Sequence, residues 1–499
     1  MRVLIAGAGA AGLFTALLLA RAGHEVTVLD RDAVEPAPDV ETAAAAAFRP
    51  TAPQIVQPHA LLPRCRELLR ERLPDVYAAL LDAGAVEAPL PTQMPPTLTD
   101  RSARPGDERL TMVLTRRSTF DWVLQRAAAC QPRLALHGRT RVTGLVATPG
   151  RPPRVRGVTT DRGALTADLV VDATGRRTAL DRWLGGVGAA SAITERAECG
   201  LAYYSRHYRL RRTTGLPGPR TTRTVAALDE FVVGIWAGDN ATMVLVVAPL
   251  VEDTRFRALT DPDVLTAVLR TMPTYAAWLD VLEPISDIYP MGGLHNTLRR
   301  LVVDGRPVVT GIATVGDSVC TTNPTFGRGL ALALQGAADL ADRLSGPIGP
   351  TVLPQALDAA VTANVAPYYR DQATNDAARL AVMRHTLFGA PAPRPLADPG
   401  QVGFAQLRQA ALFDPTVFRA FWAVMGMTAL RPDKVYTDPA VVAHTRAVLA
   451  RHEPPPLPQP TTHQLETALG CTVRPRSLRE VPDRAHNGPA SLRGTVGRA

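Results

Sequence analysis

The N-terminal segment of the chain restricts the fold more than any other stretch. Residues 3–5 are a continuous apolar run typical of a buried parallel strand, and residues 26–29, apolar except for Thr27, predict a second strand. Between them the chain carries the spacing Gly7-x-Gly9-x-x-Gly12, which begins soon after the first run. A strand, a glycine turn, a helix and a second strand in this order predict a Rossmann-type unit that binds a dinucleotide.

Each part of this unit has a predicted role. Gly7 permits the turn, Gly9 lets the backbone approach a diphosphate, and Gly12 lets the helix pack closely on the strand. The diphosphate is expected at the helix N-terminus, beside Ala11. Asp30 follows the second strand, where its carboxylate can accept hydrogen bonds from a ribose.

Composition limits the class of protein and its partners. A chain of 499 residues exceeds what one compact core usually supports, so we expect two or three packed domains. The net charge is +9, but the arginines are spread along the whole chain and Lys434 is the single lysine, so we expect no nucleic-acid partner. The five cysteines are scattered and form no cluster with histidine, so we expect no metal site.

The sequence also bears on location and on one kind of chemistry. No basic and apolar leader precedes the first strand, and no apolar run is long enough to span a bilayer, which predicts a cytoplasmic protein without a membrane span. A pyridoxal phosphate enzyme needs a lysine for its Schiff base. Lys434 lies in the polar stretch RPDKVYT, where we expect a solvated surface charge.

A second segment indicates which dinucleotide is bound. An apolar strand leads to Gly316-Asp317, and a loop containing Pro324 then enters a long helix through Gly327-x-Gly329. Backbone N–H groups at this helix N-terminus are expected to face an anion, and the N1–C2=O edge of a reduced flavin carries such a charge. Asp317 can accept a hydrogen bond from a ribityl hydroxyl. The segment therefore predicts FAD.

Four motifs resemble those of the para-hydroxybenzoate hydroxylase-like FAD-dependent monooxygenases. GDSVCTTNPTFGRG resembles the GD motif of that superfamily, and the glycine fingerprint followed by Asp30-Arg31 is similar to theirs. VVDATGRRTALDR, which contains Asp172, resembles the mid-chain motif. LTRRSTFDWVLQRA resembles the segment whose arginine, here Arg117, reaches the FAD. A further region, APQIVQPHALLPRCRELLRERLPDVYAALLDAGA, is similar to the polyether-type flavin epoxidases.

The resemblance implies an α/β fold with a Rossmann-like FAD-binding domain, an inserted antiparallel β-sheet substrate domain and a helical C-terminal region. The polar, arginine-rich tail is expected to be loosely ordered. The expected domains are 1–90, 105–190 and 285–350 for the discontinuous FAD-binding domain, 191–284 for the substrate-binding sheet, 355–470 for the helical C-terminal region and 474–499 for the tail.

The motifs also imply a set of cofactor contacts and pocket residues, although no catalytic residue is singled out. For each aromatic pocket residue, packing in the core is the alternative role. His59 either donates to the cofactor or caps the helix that follows it. The expected cofactor contacts are Gly7, Gly9, Ala11, Gly12, Asp30, Arg31, Arg117, Asp172, Gly316, Asp317, Pro324, Gly327 and Gly329. The expected pocket residues are Tyr203, Tyr204, His207, Trp236, His295, Asn323, Pro324 and Phe326.

The activity implied by the resemblance is that of an FAD-dependent monooxygenase. It would hydroxylate or epoxidise a hydrophobic small molecule of secondary metabolism through a flavin C4a-hydroperoxide formed with O2. The epoxidase-like motifs favour epoxidation. NAD(P)H or a separate flavin reductase would supply electrons, and the form Asp172-Ala-Thr-Gly175 leaves both donors open. The alternative is an FAD-dependent reductase or dehydrogenase of the geranylgeranyl reductase type, which shares this form. A flavin-dependent halogenase would carry an early lysine, which the chain lacks.

Overall fold

A computed structural model describes residues 1–49, 51–393, 398–429, 431–454 and 456–470. The tail 474–499 therefore lies outside the described residues. In chain order, the described strands are β1 (Arg2–Ala6), β2 (Glu25–Leu29), β3 (Ala60–Leu61), β4 (Val86–Ala88), β5 (Met112–Leu114), β6 (Leu134–His137), β7 (Val142–Thr148), β8 (Arg154–Thr160), β9 (Gly163–Thr166), β10 (Leu169–Asp172), β11 (Ile193–Glu198), β12 (Tyr203–Leu210), β13 (Arg223–Ala227), β14 (Phe231–Ala237), β15 (Thr242–Pro249), β16 (Leu282–Met291), β17 (His295–Arg300), β18 (Val302–Val303), β19 (Arg306–Pro307), β20 (Ile312–Thr314) and β21 (Cys320–Thr321).

The α-helices alternate with these strands in the first half of the chain and follow one another in the C-terminal part. In chain order, they are α1 (Ala10–Arg21), α2 (Val40–Ala45), α3 (Pro63–Arg72), α4 (Pro74–Asp82), α5 (Leu90–Gln93), α6 (Arg117–Ala129), α7 (Leu180–Gly186), α8 (Pro262–Arg270), α9 (Pro273–Leu279), α10 (Gly329–Arg343), α11 (Val352–Ala360), α12 (Ala366–Phe388), α13 (Phe404–Ala410), α14 (Pro415–Met425), α15 (Pro432–Tyr436), α16 (Pro439–Leu449) and α17 (Thr462–Ala468).

The predicted dinucleotide-binding unit forms the centre of a five-stranded parallel sheet. The strand order is β20-β10-β1-β2-β6, and Leu4 lies between Val170 and Thr27. Helices α1 and α10 pack against each other beside this sheet. The apolar runs of β1, β2 and β10 suit strands that are covered on both faces. The predicted mixed α/β class with a Rossmann-type domain is confirmed.

The turn between β1 and α1 brings three backbone segments close together. Gly7 has a φ of +109°, a conformation that glycine adopts easily, and a Cβ there would overlap the carbonyl oxygen of Ala173. A Cβ on Gly12 would overlap the carbonyl oxygen of Gly7. Gly316, at φ +65°, approaches Ala11 so closely that an added Cβ would lie 2.7 Å from the alanine Cβ. Small residues at these positions allow α1 to begin at the end of the sheet.

A second large sheet is antiparallel, with the order β13-β14-β15-β12-β16. On one face, Val233, Ile235, Leu245 and Val247 are buried in the main hydrophobic core. Strand β11 pairs with β17 in a separate sheet. The boundary expected between residues 284 and 285 falls inside β16, because that strand runs on to Met291 at the edge of the second sheet.

A buried ion pair joins the C-terminal helix α12 to the residue that precedes α10. Arg328 precedes α10 and is fully buried, and its Nη1 donates to Asp371 on α12 at 2.5 Å. Asp371 also accepts from the Tyr436 hydroxyl at 2.7 Å and from the Asn375 side-chain amide at 2.9 Å. The guanidinium of Arg328 lies over the Phe326 ring, 4.7 Å from its centroid. The C-terminal helices thus hold the loop that leads into α10.

We predict that Asp371→Asn destabilises the protein by about 3–5 kcal/mol, because Arg328 would keep its buried charge and lose its counter-charge. The matched control is Asp342→Asn, which breaks the half-exposed pair of Asp342 with Arg72 and should cost no more than about 1 kcal/mol. Urea unfolding followed by circular dichroism measures both changes. Equal losses in the two variants would contradict the role assigned to the buried pair.

Candidate functional site

One large cavity, about 660 Å³ in volume, opens between the parallel sheet and the antiparallel sheet. Its size lies within the range of small-molecule and cofactor sites. Many residues expected to contact a cofactor or substrate lie on its wall although they are far apart in sequence. These are Gly7, Gly9, Ala11, Asp30, Arg31, Arg117, Tyr203, Trp236, Asp317, Pro324, Gly327 and Gly329.

Helices α1 and α10 both begin at this cavity without a side-chain cap. Helix α1 starts after Gly9, and helix α10 starts after Arg328, and no side chain hydrogen-bonds to the first N–H groups of either helix. Uncapped N–H groups and the helix dipole give both ends a partial positive charge. The α1 and α10 ends therefore give the wall of this cavity two separate places that favour a negative charge.

Asp30 supports the first of these ends as well as lining the cavity. Its carboxylate accepts the N–H of Ala8 at 2.6 Å and the N–H of Asp32 at 2.8 Å. A carboxylate has about four acceptor positions, so these two bonds leave capacity for a ligand hydroxyl. Asp30 thus ties the glycine turn to the end of β2.

Asp172 and Gly316, which we expected to contact a cofactor, lie behind the wall. Asp172 is fully buried, and its carboxylate accepts hydrogen bonds from the N–H and hydroxyl of Thr174 at 2.9 and 2.6 Å and from the hydroxyl of Thr178 at 2.6 Å. Thr174 and Thr178 are on the wall. Asp172 therefore positions the loop after β10, while Gly316 and Gly12 allow close backbone packing.

Several expected pocket residues also lie off the wall, for different reasons. Tyr204 points to the core face of β12, opposite to Tyr203. His207 donates from Nε2 to the carbonyl oxygen of Val56 at 2.8 Å, and burial lowers its pKa. His295 is exposed at the start of β17. The alternation of side chains along a strand predicts two faces but does not say which face meets the cavity.

The loop before α10 places Asn323 and Phe326 behind Pro324. Asn323 is fully buried, accepts from the Tyr203 hydroxyl and donates its amide to the carbonyl oxygen of Cys199 at 3.3 Å. The Phe326 ring packs on Phe404 with 4.5 Å between centroids. Both side chains shape the loop, and Pro324 itself reaches the cavity.

Cationic side chains dominate the charged part of the wall. Arg117 donates from Nε to Asp121 at 2.6 Å, while the neighbouring Arg116 points away to a buried pair with Asp239. The pKa of Arg176 is lowered, chiefly by burial and then by the charge of Arg177. The arginines on the wall are Arg31, Arg49, Arg117, Arg141, Arg176, Arg177, Arg182 and Arg223, and the acids are Asp30, Asp32, Asp121, Asp181 and Asp317.

Burial also shifts the pKa values of Asp317 and His59 on the wall. Burial raises the pKa of the Asp317 carboxyl, while the charges of Arg117 and Arg176 oppose that rise. Burial lowers the pKa of His59 to about 4, aided by the charge of Arg117, so this imidazole is neutral near pH 7. His59 pairs through Nδ1 with the carbonyl oxygen of Gln57 at 2.9 Å. No side chain caps α3, which rules out the capping role.

Some wall residues were missed by the sequence analysis. Within the described part of the chain, four of them carry a buried polar side-chain atom without a partner: Arg176, Trp183, Arg223 and Thr322. The hydroxyl of Thr322 and the Nε of Arg176 make no hydrogen bond to any part of the chain that the structure describes. Buried polar groups are normally paired, so these two atoms point to a ligand in the cavity. The sequence signal for Arg176 is its place directly after the Asp172-Ala-Thr-Gly175 turn.

Comparisons with known proteins bear on the fold and on part of the chain. Residues 2–92 match the family model described as FAD dependent oxidoreductase. Protein Rv3254 of Mycobacterium tuberculosis is 26% identical over 483 residues, covering 89% of this chain and 92% of that protein. The described helices include none that is both long and apolar enough to cross a bilayer.

Solved structures of flavin enzymes share the fold. The flavin-dependent brominase Bmp2 superposes with a TM-score of 0.60 at 16% identity, over 91% of this chain and all of that chain. PqsL, a probable FAD-dependent monooxygenase from Pseudomonas aeruginosa, gives 0.54 at 18%, over 78% and 98%. The flavin-dependent halogenase CmlS gives 0.58 at 17%, over 90% and 77%. The chain therefore has the fold of FAD-binding oxidoreductases.

We predict that Asp317→Asn raises the melting temperature of the cofactor-free protein at pH 7. The folded-state pKa of this carboxyl lies above its unfolded value, so ionisation at pH 7 destabilises the fold and the amide avoids that cost. The gain should shrink as the pH falls through the raised pKa, because the wild-type carboxyl then becomes neutral. Thermal melts of both proteins from pH 4 to 8 measure the difference. A gain that does not vary with pH would contradict the assignment.

Proposed function

We propose that the chain holds FAD in the cavity and uses it to transfer one oxygen atom from O2 to a hydrophobic small molecule. The observation that carries the proposal is the pair of uncapped helix N-termini, at Gly9 and Gly329, on the wall of one cavity. An FAD molecule has two regions that gain from such ends, the diphosphate and the reduced flavin ring.

The residues around each helix end fit the two parts of the cofactor. At the α1 end, Gly9 leaves the space beside the backbone open, and Asp30 has free acceptor capacity for a ribose. The unpaired Nε of Arg176 suits an anionic or carbonyl acceptor. At the α10 end, the carboxylate of Asp317 and the unpaired hydroxyl of Thr322 suit the hydroxyls and polar edge of the ribityl-flavin part.

When bound, the flavin supplies the oxygen activation, and the overall reaction is substrate + O2 + NAD(P)H + H⁺ → oxygenated substrate + NAD(P)⁺ + H2O. The chain would bind both molecules and exclude water. Val232, Val246 and Ala248 give the sheet side of the cavity an apolar surface that suits a hydrophobic substrate. This surface takes up an alkene or an aromatic ring equally well, so epoxidation and hydroxylation share the same proposal, with the epoxidase-like motifs favouring the first.

The electron donor and the alternative activity belong to the same proposal. NAD(P)H acts directly or through a flavin reductase partner. A reductase or dehydrogenase of the geranylgeranyl reductase type would bind FAD in the same cavity and react without oxygen. Some of the structural neighbours are halogenases. That activity is disfavoured for this chain because Lys434, the single lysine of the sequence, is exposed on α15 and does not reach the cavity.

We predict that Gly9→Asp abolishes FAD binding without lowering the melting temperature of the cofactor-free protein. A side chain at Gly9 meets open space, and a carboxylate at a helix N-terminus is favourable. The same carboxylate would repel the diphosphate. The matched control is Gly12→Ala, which should lower the melting temperature because its Cβ overlaps the Gly7 carbonyl. The flavin absorbance of purified wild type and Gly9→Asp, each reconstituted with FAD, measures the effect.

A wild-type protein that stays colourless after reconstitution with FAD would overturn the proposal. Retention of FAD by Gly9→Asp would show that the cofactor lies elsewhere.

Turnover under ¹⁸O2 distinguishes the two activities once FAD binding is established. Reduction of the bound flavin by NADPH, NADH or a reductase is followed by stopped flow, and products from a panel of apolar alkenes and phenols are examined by mass spectrometry. A monooxygenase incorporates one ¹⁸O atom per product molecule. Product formation that continues at the same rate without oxygen would establish the reductase alternative.

A further inference from the structure

The antiparallel sheet turns a largely apolar face to the cavity, with one cation among its side chains. Val225, Val232, Val246 and Ala248 line this face, and Arg223 lies at its outer edge on β13. Strand pairing places Arg223 directly opposite Trp236 on β14. Paired residues of neighbouring strands share a face, so the guanidinium stem and the indole stand side by side.

The position of Trp236 is made possible by a glycine. A Cβ on Gly234 would overlap the six-membered ring of Trp236, so the ring lies against the backbone of its own strand. Tryptophan in this position offers a broad apolar surface at the cavity wall. Arg223 and Trp236 together form an edge of the cavity with both a cationic and an apolar part.

Arg223 has no counter-charge within the part of the chain that the structure describes. No carboxylate lies within 4 Å of it there, and its Nε is buried without an acceptor. Its Nη1 meets only the sulfur of Met112 at 3.7 Å, and its guanidinium carbon lies 5.7 Å from the centroid of the Trp422 ring. Burial, with no charged neighbour to oppose it, lowers the pKa of Arg223 to about 10.

Some of the buried arginines are paired with carboxylates, whereas the buried Arg299 donates to the carbonyl oxygen of Ser318 at 2.6 Å. Arg116 meets Asp239, and Arg328 meets Asp371, in each case with the partner almost fully buried. Charges and polar groups removed from water are costly unless paired, so the half-buried Arg223, with its Nε buried without an acceptor on the cavity wall, points to a ligand there. A ligand with a negative group would supply what the chain does not.

We propose that Arg223 binds the carboxylate of the substrate, and hence that the substrate is an apolar carboxylic acid. A guanidinium offers a planar pair of N–H donors that matches a carboxylate. The apolar body of the acid would lie along Val225, Val232 and Val246 toward Tyr203. The statement that the bound acid is the substrate rests on the proposed function.

The test compares decanoate with decan-1-ol, two probes that share an apolar chain and differ in charge. Each is titrated into wild type, Arg223→Gln and the control Arg162→Gln by isothermal titration calorimetry at pH 8. Arg162 is an exposed turn residue away from the cavity. Wild type and Arg162→Gln should bind decanoate about 10- to 100-fold more tightly than decan-1-ol. Arg223→Gln should lose this preference while its affinity for decan-1-ol stays the same.

Two further measurements separate ligand binding from a structural role. Arg223→Gln should melt no lower than wild type, because the guanidinium has no charged partner to lose. Arg223→Lys should keep part of the preference, since it retains the charge without the planar fork. A decanoate preference that survives in Arg223→Gln, or a wild type that binds both probes equally, would overturn the inference.

The outcome can be told apart from a failure of the proposed function. The Gly9→Asp variant, expected to lack FAD, should still prefer decanoate, because Arg223 lies in the other sheet. A colourless wild type that prefers decanoate would overturn FAD binding and keep the carboxylate site. A yellow wild type that shows no preference for decanoate would support FAD binding and overturn the carboxylate site.

Discussion

The close approach of three backbone segments around the first glycine turn is the constraint on which the cavity depends. Gly7 meets the carbonyl of Ala173, Gly12 meets the carbonyl of Gly7, and Gly316 meets Ala11. Any Cβ at these glycines would push α1 away from the end of the sheet. Because the segments touch, the N-terminus of α1 opens at the same place as the ends of β1, β10 and β20, and the strands' carboxyl ends are where ligands bind in such sheets.

Much of this arrangement could be predicted from sequence because its determinants are local. A strand, a glycine turn and a helix appear in order within one short segment, and the apolar runs match the parallel sheet. The positions of single side chains depend on contacts between distant segments. Asp172 was expected at the cavity but bonds to Thr174 and Thr178, which the sequence does not show. Strand alternation separates Tyr203 from Tyr204 without saying which of them faces the cavity.

The boundary of the antiparallel sheet illustrates the same limit. The expected boundary near residue 284 rested on alternating runs within 191–284, which are a local signal, whereas the length of β16 is set by its partner β12, whose Tyr203 pairs with Met291. Strand ends in antiparallel sheets follow the register of the neighbour, so they cannot be read from one strand alone. The residues of β16 beyond 284 extend the strand as far as Met291 on the cavity wall, which the loop containing Pro324 also lines.

A buried polar chain connects this sheet to the C-terminal helices. Tyr203 donates to Asn323, the N–H of Asn323 donates to the side-chain oxygen of Asn296 at 2.7 Å, and Asn296 donates to Asp376 of α12 at 2.7 Å. Asp376 is fully buried and also accepts from Arg379 at 2.7 Å. Each side chain of this hydrogen-bond network has a partner, so the network favours one arrangement of its side chains. Because one end lies on the sheet and the other on α12, the distance between the cavity face of the sheet and the loop before α10 is set largely by Asn323, Asn296 and Asp376, which lie off the cavity wall. The helical C-terminal region therefore contributes to the cavity although none of its described residues lines the wall.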